Sequence, residues 1–171
     1  MIRVALVLSV LNAVALPASA DDKDAPVVTA MIPYKGGVLT AFTDVGGQKG
    51  LYRVHFSTDG QKPGEGEIVY EGGSPVTAMI EFEGGVLTAF TNCQGKPDLN
   101  RVHFSKHGKG LGNGEVRYEG GSPVVGMTAL KGGGVLTAFT KCEGKAGLNR
   151  IHFSKDGKDL GGGEKRFEQQ K

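Results

Sequence analysis

The chain has 171 residues, 29 of them glycine, with no tryptophan, two cysteines, and 20 basic against 18 acidic side chains. Glycine without a three-residue period, beside only 7 prolines, excludes a collagen-like rod, and the apolar runs between the glycines exclude simple disorder. A net charge of +2 with no basic or acidic block excludes nucleic acid as a partner recruited by charge.

The first segment reads as an address. Arg3 precedes an apolar run from Val4 to Leu16, and Pro17-Ala18-Ser19-Ala20 presents the small residues of a signal-peptidase site. The run is shorter than the roughly 20 residues that a helix needs to cross a bilayer. The expectation is a signal peptide over residues 1–20, cut after Ala20. A short linker over 21–25 would follow, then an exported chain with no membrane anchor, secreted or periplasmic.

The remainder repeats itself. Gly-Gly-Val-Leu-Thr-Ala-Phe-Thr occurs at Gly36–Thr43, Gly84–Thr91 and Gly133–Thr140. Arg-Val/Ile-His-Phe-Ser follows in each copy, at Arg53–Ser57, Arg101–Ser105 and Arg150–Ser154. Pro-Val opens the copies at Pro26-Val27, Pro75-Val76 and Pro123-Val124, and Tyr-Glu-Gly-Gly closes the first two. One domain over 26–171 is therefore expected, with repeats at about 26–73, 74–121 and 122–171.

Each repeat predicts four strands. In the second copy Val76–Phe82 alternates as a first strand, and Glu83-Gly84-Gly85 supplies the turn. Gly85–Thr91, almost wholly apolar, predicts a central strand covered on both faces. A polar loop over Asn92–Asp98 leads to a third strand, Leu99–Ser105, and a glycine cluster leads to a fourth, Glu115–Glu119. The fold class is all-β, with about twelve strands. On the third and fourth strands, Val102, Phe104, Val116 and Tyr118 are assigned to one face. Arg101 and His103 are assigned to the other, opposite Glu115 and Glu119. That layout recurs as Arg53/His55 and Arg150/His152, which are expected to pair and pack the repeats together.

Four-stranded units of this length with a Gly-Gly hairpin resemble blades of the broad WD40/kelch-like class. The resemblance implies that the three repeats form part of a β-propeller. No Trp-Asp pair is present, so no subfamily is assigned. A β-trefoil, also three units of four strands, is the alternative. Three blades cannot close a propeller ring alone, so self-association is expected, with two chains giving six blades.

No catalytic or metal motif stands out, and neither a cofactor nor an enzyme activity is implied. Asp156, Asp159 and Glu164 could offer oxygens to calcium, but the other copies do not reproduce that set. His107 is a lone break in the repeat. Cys93 and Cys142 occupy equivalent loop positions, where Val45 stands in the first copy, and could be a bridge, an intersubunit link or free thiols.

The loops between strands two and three carry the variable polar residues. These are Asp44, Gln48 and Lys49 in the first copy and Asn92, Gln94, Lys96 and Asp98 in the second. The third supplies Lys141, Glu143 and Lys145. Repeated on one face, they are the candidate ligand contacts of a multivalent binding protein. Analogy with secreted repeat proteins points to glycans as ligand. A structural or assembly protein without small ligand, or a β-trefoil lectin, is the alternative.

Overall fold

Alternating apolar residues and paired glycines fold residues 26–170, those that the computed structural model describes, into three blades. The predicted leader and linker lie outside them. Blade 1 contains β1 (Val27–Tyr34), β2 (Gly37–Thr43), β3 (Tyr52–Ser57) and β4 (Glu67–Gly72). Blade 2 contains β5 (Val76–Phe82), β6 (Gly85–Phe90), β7 (Asn100–Ser105) and β8 (Glu115–Gly120). Blade 3 contains β9 (Val124–Ala129), β10 (Val135–Phe139), β11 (Asn149–Ser154) and β12 (Glu164–Gln169).

Each blade is one antiparallel meander in chain order, and no sheet draws strands from two repeats. The chain is thus all-β, three four-stranded repeats forming part of a β-propeller, with no closed barrel among the described residues. The first strands are innermost: β5 lies between β1 and β9, and Thr77 Oγ1 donates to the Val124 carbonyl at 2.7 Å.

Register shows where the repeats begin. Val28 pairs with Phe42 as Val76 pairs with Phe90 and Val124 with Phe139. The structural equivalent of Val76 in blade 1 is therefore Val28, one place after the Pro26-Val27 of the sequence pattern.

The core is two apolar slabs between three sheets. Leu39, Val54, Val69, Val86 and Phe90 pack between blades 1 and 2. Leu87, Val102, Val135, Phe139 and Leu160 pack between blades 2 and 3. Every residue of β6 is buried, because this central strand of the middle blade has a neighbour on each face. Burying one such Leu or Val stabilises the fold by about 1.5–3 kcal/mol.

A bulge changes one expected face. Pairing of β7 with β8 slips by one residue between Val102 and His103, so His103 lies opposite Val116 rather than Arg117. The slip recurs in blades 1 and 3, placing His55 opposite Ile68 and His152 opposite Lys165. Val116 therefore leaves the Val102 face and is exposed.

Candidate functional site: grooves between the blades

The last strand of one blade faces the third strand and the following loop of the next, and a groove runs along each junction. The first groove encloses about 520 Å³. Tyr70 and Ser74 of blade 1 form one side, and Cys93, Gln94, Arg101 and His103 of blade 2 form the other. The second junction repeats this set position for position, with Tyr118 and Ser122 facing Cys142, Glu143, Arg150 and His152, in two adjoining cavities of about 160 and 380 Å³ that share Tyr118 and Gly161.

The tyrosines build the wall. Tyr70 leans over Phe90, ring centroids 4.8 Å apart, and its hydroxyl donates to the Ser74 carbonyl at 3.0 Å while accepting from the Ser74 amide at 3.2 Å. Tyr118 repeats both bonds with Ser122, at 2.9 and 3.1 Å. Burial raises both phenol pKa values, so these hydroxyls stay protonated. The clamp ties the joint between blades to the groove wall.

Histidine packs against the same aromatic from within its own blade. His103 meets Phe90 edge-on at 5.4 Å, His152 meets Phe139 at 5.3 Å, and His55 meets Phe42 at 5.6 Å. Burial lowers the pKa of His55 and His103 and holds both imidazoles neutral near pH 7. His152 Nδ1 lies 2.6 Å from the Gly161 carbonyl.

The arginines are held by glutamates inside their own blades. Arg53 Nε reaches Glu71 at 2.5 Å, Arg101 Nε reaches Glu119 at 2.6 Å, and Arg150 Nε reaches Glu168 at 2.5 Å. The arginines therefore form the cross-strand pairs that the sequence layout predicts, inside each repeat and not from one repeat to the next. The Arg pairs with Glu within its sheet, and the bulge carries His away from the glutamates. Glu67 instead spans blades 1 and 2, accepting from Lys109 at 2.9 Å.

One substitution separates the two grooves. Glu143 stands where Gln94 stands, and its carboxylate reaches Arg150 Nη2 at 2.6 Å and Lys145 at 3.0 Å. Arg150 is thus bound by two carboxylates, which raise its pKa, while Arg150 and Lys145 lower that of Glu143. Arg101, with Glu119 alone, keeps donors toward its groove.

Of the ten loop residues singled out from sequence, Gln94 and Glu143 line a groove. Asn92, Lys96, Asp98, Lys141 and Lys145 are exposed on the loops outside it. Asp44 accepts from the Gly50 amide at 2.7 Å and so closes its own loop, while Gln48 and Lys49 are exposed beside it. Among the described residues no blade precedes blade 1, and these three line neither groove. His107 is exposed in the turn after β7. Asp156 caps the Lys158 amide and Asp159 accepts from the Gly162 amide, both ordinary turn bonds.

Cys93 and Cys142 are free, buried thiols, one in each junction. Burial pushes the Cys93 thiol up, away from the reactive thiolate. Sequence reasoning passed over Tyr70, Ser74 and their counterparts, because they lie at repeat boundaries. The signal was present: Tyr and Ser recur at both internal joints, and Phe167 replaces Tyr at the last.

No protein-family model matches the chain, and neither does any curated protein. Among solved structures the chain is similar to the computationally designed Ika4 protein, at 15% identity and a TM-score of 0.42, over 77% of this chain and 68% of that one.

Proposed function

We propose that the protein is an exported, non-catalytic, multivalent binding protein that takes a small hydroxyl-rich ligand, carbohydrate being the class, in the grooves between its blades. The observation that carries this reading is the recurrence of one Tyr-Ser/Cys-Arg-His groove at both internal junctions. A groove with a tilted Tyr–Phe wall and amide and guanidinium donors at its rim suits a neutral ligand with apolar and hydroxyl faces. Nothing in it is poised for chemistry. His103 is neutral and packed, Cys93 is held as a thiol, and Arg101 is engaged by Glu119.

Glycan-array screening, followed by calorimetric titration of the glycans that bind, tests the reading. Arg101→Ala should weaken binding by about tenfold or more, the loss expected for one charge-assisted hydrogen bond. Its stability should change by about 1 kcal/mol or less, because the Arg101–Glu119 pair is partly exposed. An array without signal would overturn it. The second groove favours one other reading. It is broken into two adjoining cavities of about 160 and 380 Å³, as expected of a structural protein whose junctions are merely imperfectly packed.

A further inference from the structure

The two internal junctions share one contact code, and the two ends of the chain each present half of it. At the junctions, the residue at the tip of the first hairpin covers a glycine in the turn after the third strand of the next blade. A Cβ on Gly108 would lie among the Tyr34 ring atoms, and one on Gly157 would lie 2.5 Å from the Phe82 ring. Likewise, the fourth-strand aromatic covers a second glycine. A Cβ on Gly112 would meet Tyr70 at 2.8 Å, and one on Gly161 would meet Tyr118 at 2.7 Å. The same aromatics lean over Phe90 and Phe139.

Among the described residues, nothing fills the receiving half on blade 1. A Cβ on Gly60 or Gly64 would meet only its own blade, Val38 at 3.1 Å and Phe42 at 3.7 Å. Val28 is 52% exposed, whereas its equivalents Val76 and Val124 are each 2% exposed. Among the described residues, nothing lies beneath the inserting half on blade 3. Leu130, at the place of Tyr34 and Phe82, is 39% exposed, and Phe167, at the place of Tyr70 and Tyr118, is 45% exposed. Leu39 and Leu87 are fully buried, while Leu136 at the same position is only half-buried.

A polar contact fits as well. Arg117 lies over the Phe104 ring at 4.9 Å, pairs with Glu115 at 2.8 Å, and sends Nη1 to the Gly157 carbonyl of blade 3 at 3.5 Å. Arg166 holds the same pose with no following blade among the described residues, over Phe153 at 5.1 Å and paired with Glu164 at 2.8 Å. The Gly60 turn of another chain offers it the carbonyl that Gly157 offers Arg117.

We infer that the tail face of blade 3 docks on the head face of blade 1 of a second copy. Phe167 then lies over the partner's Phe42, and Leu130 over the partner's Gly60. The contact is head to tail, and two copies related by a twofold axis make it twice, closing a ring of six blades. Each new junction completes a groove that one chain cannot form alone, with Arg53 and His55 facing the β12 of the other copy. The inference does not need a ligand, so its test and that of the binding reading fail independently.

Light scattering on the purified chain from Asp21 onward should give the mass of two chains. Phe167→Glu on the tail face and Val28→Glu on the head face change exposed residues, so both variants should keep the wild-type circular dichroism and run as single chains. Each dissociation constant should rise by about 100-fold or more, because an unpaired carboxylate would be buried. Mixing the two variants should restore a two-chain particle, because one junction then joins two unaltered faces. A single-chain mass for the wild type, a dimer indifferent to both substitutions, or a mixture that stays monomeric would each overturn the inference.

Discussion

Tyr118 of blade 2 lies over Phe139 of blade 3, ring centroids 4.9 Å apart and planes at 59°, while its hydroxyl clamps the backbone of Ser122. One side chain thus joins two blades by packing and fixes their linker by hydrogen bonds. Tyr118→Phe should lose the clamp and cost about 1 kcal/mol. Tyr118→Ala should also lose the ring contact and cost about 2–4 kcal/mol in all. Urea unfolding of the two variants separates these contributions. Equal losses would show that the ring adds nothing.

Gly60 and Gly157 share a left-handed backbone, φ +67° and +63°, but only Gly157 has another blade's ring against it. Alanine at Gly60 should cost about 1–2 kcal/mol from backbone strain alone. Alanine at Gly157 should add about 1–3 kcal/mol, because Phe82 must move. Measured in the Phe167→Glu background, where assembly does not contribute, Gly157→Ala should have the lower melting temperature.

Stability should fall in mildly acidic solution. Burial depresses the folded-state pKa of His55 and His103, so the unfolded chain takes up protons first as the pH drops below about 6.5. Their contribution is complete above that pH and is lost as the pH falls toward the folded values. Melting temperatures from pH 8 to pH 5.5 should decline, and His103→Gln should flatten the decline. A flat wild-type profile would contradict this account.

The two thiols should behave as buried groups. An aromatic disulfide reagent should react slowly with the native protein and release two equivalents after unfolding, because Cys93 and Cys142 are free and buried. A reductant should leave the melting temperature unchanged. Fewer than two equivalents from the unfolded chain would mean that a thiol had been oxidised or bridged.

The repeats, the twelve strands and their order were legible in the sequence, since three copies of one pattern reinforce every assignment. The predicted Val76–Phe82 coincides with β5, and the other second-blade strands agree within one residue at either end. Face assignment failed at Val116, because an inserted bulge reverses a two-residue alternation and leaves no mark on residue type. The groove was half legible: Gln94, Arg101 and His103 lie within one copy, but their partners Tyr70 and Ser74 belong to the preceding copy and its linker.

By itself the sequence determined that this chain is all-β, threefold in pattern and turned by glycine, because those properties are local and periodic. Only the tertiary structure decided which identical residues are covered. Leu39, Leu87 and Leu136 are the same side chain in the same motif, yet the third is only half-buried because no described blade follows it. Burial depends on neighbours in space, and a repeat cannot state how many neighbours it has.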